Sequence, residues 1–309
     1  MAGNQINHGM NAIEITTTIG CRIRCDYCPQ DKLVRAYHRL SGATKMSLET
    51  YRCVLRKLPP GTIIHFSGMS EPWLNPHCTE MVLHTHESGY EVSVFTTVVG
   101  MDVADVEKIR SIPFGHFVVH LPDTERYAKI DVDETYLKTL DYIVKSPIRN
   151  CEFMTMGTLP PNVRRVLGKR IAATRMMDRA GNVTTMSDIR CPPRLAGPIR
   201  CRSCGDAMNH NILLPNGDVV LCCMDYGLQH ILGNLLLTDY ESLFHGAVFK
   251  QLQLALNDDS LDILCRYCEN ASPLDEYNQP EKKKRFGNVR GALKNLMMRL
   301  KTEDASTVS

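Results

Sequence analysis

The sequence predicts an α/β protein in which a parallel sheet is followed by a small cysteine-rich domain built from a hairpin and a helix. Between residues 11 and about 186, short β-branched runs alternate with helical stretches, a pattern typical of βαβ units. Seven of the 13 cysteines follow residue 190, around two apolar runs that a turn separates. We therefore expect a sheet domain over residues 1–190, a cysteine-rich domain over 191–275 and a tail over 276–309.

Composition favours a cytoplasmic protein. A hydrophobic content of 43% and a charged content of 23% are ordinary for a globular chain, and a net charge of +2 gives no indication of a nucleic-acid partner. No apolar run approaches the ~18–20 residues of a transmembrane segment, and the polar opening residues lack the pattern of a signal peptide. Clustered cysteines in a reducing compartment indicate metal binding or catalysis more than disulfides.

Six strands are predicted in the first domain. They are Ala12–Thr17, Thr62–Phe66, Glu91–Phe95, His116–His120, Glu152–Met156 and Val183–Met186. Periodicity and breakers place helices between them: one that Ser47 caps and Pro59 ends, then Met81–Ser88, Val103–Ile112, Glu134–Lys145, and a basic helix from Pro160 through Met177. Ligands of such sheets bind beyond the carboxyl ends of the strands, so loops after strands are where chemistry is expected.

The loop after the first strand carries three cysteines, Cys21, Cys25 and Cys28, in a C-x3-C-x2-C spacing. Three thiolates this close can hold three irons of a [4Fe–4S] cluster and leave the fourth iron open to a ligand. A zinc site is the alternative for such a group.

This loop resembles that of the radical S-adenosylmethionine (radical SAM) enzymes. The resemblance implies a partial (β/α)6 barrel and a [4Fe–4S] cluster whose open iron binds S-adenosylmethionine (SAM). It also implies an external one-electron reductant of the flavodoxin or ferredoxin type. In that family the electron splits SAM into methionine and a 5′-deoxyadenosyl radical, which abstracts a hydrogen atom from the substrate.

The second strand is followed by a loop with the sequence Gly68-Met69-Ser70-Glu71-Pro72. This loop resembles the Gly-Gly-Glu-Pro motif of the same family. The resemblance implies that Gly68, Ser70 and Glu71 hold the amino group of SAM. Because Met69-Ser70 departs from the usual glycine pair, close backbone approach is expected mainly at Gly68.

Two further contacts with SAM follow from the resemblance. Thr96 and Thr97, at the end of the third strand, are expected near the ribose. Tyr27 is expected either against the adenine or in the core. The strand histidines His65, His116 and His120 are interpreted as core residues without a role in the reaction, and so are the isolated Cys53, Cys78 and Cys151.

The second cysteine set is predicted to form a closed four-thiolate site. Apolar runs on both sides of Pro215-Asn216-Gly217-Asp218 predict a hairpin that brings Cys201 or Cys204 toward Cys222. A helix over Tyr240–Leu256 then leads to Cys265-x2-Cys268. A structural zinc site is one interpretation. The layout also resembles the twitch and SPASM domains of radical SAM enzymes, which implies an auxiliary [4Fe–4S] cluster, and the lack of cysteines after Cys268 favours the shorter twitch type.

Predictions also concern Cys222 and the residues that directly follow it. Neighbouring side chains on a strand point to opposite faces, so Cys222 is expected to ligate and Cys223 to lie apart from the cluster. Cys223, Asp225 and Tyr226 are candidates for handling a second proton or hydrogen.

Residues 282–301 predict a basic amphipathic helix that packs on the protein's own surface or contacts a membrane or partner.

The sequence leaves three functional hypotheses. The first is a radical SAM dehydrogenase or epimerase acting on a small polyhydroxylated molecule, a sugar or an aminocyclitol. The second is a maturase of a ribosomally made peptide, which the ten or so residues before the first strand disfavour because many maturases begin with a leader-binding domain. The third is a non-catalytic iron–sulfur or zinc protein.

Overall fold

Nine of the strands form a single sheet. The structure is a computed structural model that describes residues 11–170, the backbone of 172–173, and residues 177–183 and 192–278. In chain order its strands are β1 (Ala12–Ile15), β2 (Ile63–Phe66), β3 (Glu91–Thr96), β4 (Phe117–Leu121), β5 (Cys151–Thr155), β6 (Ala172–Ala173), β7 (Ile199–Cys201), β8 (His210–Leu213), β9 (Asp218–Val220), β10 (Ile231–Asn234) and β11 (Ala271–Pro273). The order in the large sheet is β10-β9-β8-β1-β2-β3-β4-β5-β6, and β7 pairs with β11 in a small antiparallel sheet.

Strands β1 to β6 lie in sequence order and are all parallel, which confirms the predicted partial barrel. The short apolar strands Ala12–Ile15 and Ile63–Phe66 are largely buried, as expected when helices cover a parallel sheet. The sixth strand is Ala172–Ala173, so the prediction of a sixth strand at 183 was wrong in position. Val183 is not in a strand, and residues 184–186 lie outside the described residues.

Helices connect the strands. They are α1 (Gln30–Tyr37), α2 (Leu48–Leu55), α3 (Cys78–Glu87), α4 (Val103–Ile109), α5 (Glu134–Lys145), α6 (Pro161–Leu167), α7 (Ala247–Ala255) and α8 (Leu274–Tyr277). Ser47 caps α2 as predicted, since its Oγ accepts a hydrogen bond from the backbone N of Thr50 at 3.0 Å. The basic helix predicted through Met177 ends instead at Leu167, because Gly168 follows with φ +61°, a left-handed conformation that glycine adopts without strain. The first helix, α1, was not predicted.

The C-terminal hairpin is continuous with the barrel sheet. Strand β8 pairs in parallel with β1, and β9 and β10 follow as antiparallel strands at that edge. The predicted hairpin turn is confirmed, with Gly217 at φ +88°. The single helix predicted over Tyr240–Leu256 is two pieces, a 3-10 turn at Glu241–Phe244 and helix α7, separated by Gly246. This hairpin brings the second cysteine set beside the first strand of the barrel.

A buried core joins the sheet to its surrounding helices. It includes Ile13, Ile64, Val94 and Phe117 from the strands, all 0% exposed, and it continues into the helices that flank them. Cys78 belongs to this core as predicted, whereas Cys53 and Cys151 are only half-buried. No helix among the described residues is long and apolar enough to span a bilayer.

Candidate active site

The three cysteines of the first loop lie together beyond the carboxyl end of β1. Gly20, at φ +86°, turns the chain into this loop. Burial raises the pKa of the Cys25 thiol to about 11, and the nearby Cys28 and Cys21 thiols raise it further. Within the ranges that the structure describes, no three His, Cys, Asp or Glu side chains converge on a position for a single metal ion. A zinc ion with Zn–S bonds of about 2.3 Å requires such convergence, whereas thiolates that bind a [4Fe–4S] cluster each bind a separate iron.

Gln30, the first residue of α1, fixes the shape of the cysteine loop. Its Oε1 accepts a hydrogen bond from the backbone N of Cys21 at 3.1 Å, and its Nε2 lies 3.1 Å from Cys28 Sγ. The same Nε2 donates to the carbonyl of Met69 at 2.6 Å. Gln30 is 5% exposed. Through these hydrogen bonds it joins the cysteine loop to the loop after β2. Sequence reasoning missed it, and its place two residues past Cys28 was the only available signal.

The loop after β2 approaches β1 closely at Gly68. This residue has φ +59°, and a Cβ added to it would lie 2.4 Å from Thr16 Oγ1 and 2.8 Å from the backbone N of Thr16. The next residue is fixed as well, because Met69 N donates to Thr16 Oγ1 at 3.1 Å. Ser70 Oγ is buried and has no hydrogen-bond partner among the described residues. A tight backbone turn and an unsatisfied hydroxyl beside the cysteine loop fit a polar ligand such as the methionine end of SAM.

The Glu71 carboxylate is held by the protein itself. Its oxygens accept hydrogen bonds from Thr96 Oγ1 at 2.7 Å, Thr97 Oγ1 at 2.7 Å, the backbone N of Thr97 at 2.5 Å and the backbone N of Trp73 at 3.2 Å. Burial raises the pKa of Glu71, while the hydrogen bonds from Thr97 and Thr96 act in the opposite direction. A carboxylate offers about four lone-pair positions, and four are taken. The geometry therefore favours Glu71 as a residue that positions the ends of β2 and β3; its contact with the amino group of SAM stays a prediction.

One cavity, with a volume of about 400 Å³, brings the predicted residues together. Its lining includes the three cysteines of the first loop and every residue assigned to SAM: Cys21, Cys25, Cys28, Tyr27, Gly68, Ser70, Glu71, Thr96 and Thr97. Tyr27 is 8% exposed and packs in the core, which was one of its two predicted environments, and it also lines the cavity. Its contact with the adenine stays a prediction.

The cavity also has a polar wall, of which Cys223 and Tyr226 were predicted as candidates for handling a second proton or hydrogen. It includes Glu14, His65, His120, His210, Arg179, Cys223 and Tyr226. Burial lowers the pKa of both His65 and His120 to about 4, so these rings are neutral near pH 7. The interpretation of these two histidines as core residues was wrong, because strand residues that alternate with core positions face the interior of a barrel. His116 lies outside the cavity lining, 3.8 Å from Glu152.

The second cysteine set forms a separate cluster. Cys201, Cys204, Cys222, Cys265 and Cys268 lie close enough for the charge of one thiolate to raise the pKa of another. Burial is the main reason that the pKa of Cys265 rises to about 12 and that of Cys268 to about 11. Cys201 and Cys204 share a hydrogen bond, so both remain candidates for the fourth ligand.

The segment that follows Cys222 reaches the first site. Cys223 lines the SAM-side cavity. Cys222 and Cys223 lie after the end of β9 at Val220, so the alternation of a strand does not account for their positions, and the ligand role of Cys222 stays a prediction. The Tyr226 hydroxyl lies 3.4 Å from Cys28 Sγ. Asp225 holds this turn, since its carboxylate accepts hydrogen bonds from the backbone N of Gln229 at 3.0 Å and of His230 at 2.8 Å.

Comparison with known proteins supports the second cysteine site. Residues 201–269 match the SPASM family, an iron-sulfur cluster-binding domain. No curated protein matches the chain at the level of sequence. The match confirms the predicted iron–sulfur character of the second cysteine set. The prediction of the shorter twitch type stays a prediction.

Three solved structures share the fold. BtrN in complex with AdoMet (SAM) and 2-DOIA is 14% identical, with a TM-score of 0.53 over 86% of this chain and 94% of that one. Streptococcus suis SuiB bound to precursor peptide SuiA is 12% identical, with a TM-score of 0.57 over 84% and 70%. The structure of anSMEcpe with bound AdoMet is 12% identical, with a TM-score of 0.51 over 89% and 92%.

The chain thus has the fold of the radical SAM enzymes, the class to which these three proteins belong. More particularly, it combines a radical SAM barrel with a C-terminal iron–sulfur domain of the SPASM type.

Proposed function

We propose that this protein is a radical SAM enzyme that cleaves SAM and abstracts a hydrogen atom from a small polyhydroxylated substrate, a sugar or an aminocyclitol. The observation that carries the proposal is the single cavity in which three cysteines, a tight glycine loop and a polar wall meet. In this proposal, Cys21, Cys25 and Cys28 hold the first [4Fe–4S] cluster. When bound, the cluster supplies one electron and SAM supplies the hydrogen-abstracting radical.

The residues of the chain bind and orient the reactants. The backbone at Gly68 and the Ser70 hydroxyl receive the amino-acid end of SAM, while Thr96 and Thr97 lie on the ribose side. Glu71 keeps these two loops in register through its four hydrogen bonds. Gln30 fixes the cysteine loop against the glycine loop. Together they hold the reacting groups at a fixed separation, which is how an enzyme lowers the entropic part of a barrier.

The polar wall supports a hydroxyl-rich substrate. Neutral His65 and His120 each offer one donor and one acceptor, which suits hydroxyl groups. The cavity of about 400 Å³ is within the range of pockets that bind small molecules. The structure of BtrN was solved with 2-DOIA as well as AdoMet, which supports a small molecule.

The second cluster is proposed to exchange an electron with the substrate radical or to stabilise the domain. Four protein thiolates leave no open iron, so this cluster is not expected to bind substrate. We further propose a cytoplasmic location and a reductant of the flavodoxin or ferredoxin type.

A peptide maturase is the second candidate, because the SuiB structure with a TM-score of 0.57 contains a bound precursor peptide. The two candidates differ in what the cavity must admit. A peptide must enter through an open mouth with its backbone extended, whereas a sugar can be enclosed by the polar wall.

The test is the iron content and SAM cleavage of anaerobically reconstituted protein, compared with the Cys21→Ala/Cys25→Ala/Cys28→Ala variant. We expect about eight irons to fall to about four, with 5′-deoxyadenosine formed only by the wild type after reduction. About four irons and bound zinc in the wild type would contradict the auxiliary cluster. A fully loaded wild type that makes no 5′-deoxyadenosine, with sugars, aminocyclitols or peptides added, would contradict the enzyme.

A further inference from the structure

Arg179 is a partly buried cation in the cavity wall. It lies in the segment between β6 and β7, with φ +54°, and its side chain lines the cavity. Among the described residues, no hydrogen bond and no ion pair reaches its guanidinium group. Elsewhere in the same structure, the buried Arg266 is satisfied by four hydrogen bonds to backbone carbonyls. Because removing a charge from water even in part is unfavourable unless the charge is paired, an unsatisfied guanidinium facing a cavity indicates that a ligand supplies the partner.

The surroundings of Arg179 favour an anion from outside the chain. The ionisable groups that interact most strongly with its charge are Tyr226, Cys223, Cys28 and Glu14. Of these, Glu14 is the carboxylate, and among the described residues it forms no ion pair with Arg179. Glu14 Oε2 instead accepts a hydrogen bond from Ser67 Oγ at 2.8 Å. A planar guanidinium with five N–H donors matches the paired oxygens of a carboxylate or a phosphate.

Arg179 lies on a different segment from the glycine loop and the two threonines assigned to SAM, although it interacts electrostatically with Tyr27 and Cys28. The glycine loop and the two threonines follow β2 and β3, whereas Arg179 follows β6 and lies beside Glu14 on β1 and His120 on β4. An anion bound there would face the centre of the barrel, with the Glu14 carboxylate a short distance away. Glu14 has free lone pairs for a hydroxyl or amino group of the same ligand.

We propose that Arg179 binds an oxyanion of the substrate, a carboxylate or a phosphate, while Glu14 accepts a hydrogen bond from a neighbouring hydroxyl or amino group. The inference rests on the proposed function, since it assigns the substrate to the same cavity. It narrows the substrate class to anionic polyhydroxylated compounds, such as sugar acids or sugar phosphates.

The test is equilibrium dialysis of the full-length, cluster-loaded, SAM-bound protein against radiolabelled inorganic phosphate and, separately, acetate. We expect saturable binding of one of the two anions to the wild type, and a loss of about tenfold or more in Arg179→Gln. Arg179→Lys keeps the charge but loses the paired geometry, so its loss is expected to be smaller. Arg110→Gln is the matched control, because this arginine pairs with Glu107 on the surface, and we expect no change in it.

The two anions distinguish the sources of the oxyanion. Tighter phosphate binding that depends on Arg179 supports a sugar phosphate, and tighter acetate binding supports a sugar acid. No saturable binding to the wild type, or equal binding to Arg179→Gln, would overturn the proposal. A variant that loses SAM affinity as strongly as anion affinity would also overturn it, because Arg179 would then serve the carboxylate of SAM.

Failure of this inference and failure of the proposed function can be told apart. Iron content and 5′-deoxyadenosine formation are measured on the same samples. Anion binding at Arg179 without SAM cleavage would support the anion site but contradict the proposal that the protein is a radical SAM enzyme. SAM cleavage without anion binding would support the proposed enzyme and contradict the anion site at Arg179.

Discussion

Arg266 is the residue whose replacement the structure predicts most sharply. It lies between the ligand candidates Cys265 and Cys268 and is 0% exposed. Its guanidinium donates to the carbonyls of Leu261 at 3.1 Å, Leu195 at 3.0 Å, Gly197 at 3.0 Å and Ala255 at 2.6 Å. One side chain thus gathers several separate turns of the C-terminal domain around the C-x2-C motif.

Replacing Arg266 with Met removes four hydrogen bonds, one to the buried Ala255 carbonyl and three to carbonyls in partly buried surroundings. At about 1 kcal/mol of net stability for each hydrogen bond, the loss is about 4 kcal/mol. Arg266→Lys retains the charge but offers three donors from one point, which cannot reach carbonyls arranged around a planar fork. We expect the Lys variant to be destabilised as well, by about 2 kcal/mol or more.

The assay is urea unfolding of the protein without its clusters, followed by fluorescence and circular dichroism. With a denaturant slope of about 3 kcal/mol per molar, Arg266→Met lowers the midpoint by about 1.3 M. The control is Arg194→Met, since Arg194 is partly exposed and bonds to the Asp259 carbonyl at 2.6 Å. We expect it to lose less than about 1 kcal/mol. A midpoint change in Arg266→Met no larger than that of the control would refute the reasoning, because the four carbonyls would then have other partners.

The remaining predictions concern the cavity. Gly68→Ala places a methyl 2.4 Å from a threonine hydroxyl oxygen at φ +59°, so SAM affinity should fall at least tenfold in equilibrium dialysis, with unchanged iron content. Gln30→Leu removes the N–H 3.1 Å from Cys28 Sγ, which should lower the potential of the first cluster by about 60 mV in an EPR-monitored titration; an unchanged potential would contradict that role. Since burial lowers the pKa of His65 and His120 to about 4, the unfolded state binds more protons between pH 6.5 and 4, so stability falls as pH falls through that window. Replacing both histidines with Gln should flatten this pH dependence, and an equally steep curve would assign it to other groups.

The alternation of strands and helices was enough to predict the order of the sheet. Ala12–Ile15, Ile63–Phe66 and Glu91–Thr96 were recognisable because buried parallel strands are short apolar runs, and the position of each following loop came with them. The cysteine and glycine loops could therefore be placed at one edge before their geometry was known. The failures occurred where a local signal competed with the tertiary structure. The helix from Pro160 continued past Gly168 in the prediction because the basic residues beyond it are good helix formers.

The polar wall could not be predicted from residue type. A histidine on an apolar strand faces either the core or the inside of a barrel, and alternation alone does not distinguish the two. His65 and His120 face the cavity because β2 and β4 belong to a sheet that curves around it. Arg179 gave no signal, since it lies in irregular chain between β6 and β7. Its importance comes only from what surrounds it.

The two cysteine sites are connected by one short segment of chain. Cys222 belongs to the second set, Cys223 lines the cavity, and Tyr226 places its hydroxyl 3.4 Å from Cys28 Sγ. The Asp225 carboxylate fixes the turn between them by accepting backbone hydrogen bonds. Because β8 and β9 extend the barrel sheet at β1, this segment cannot move independently of the first site. The sheet thus explains why a site so distant in sequence contributes both to the wall of the cavity and to the surroundings of a cluster ligand.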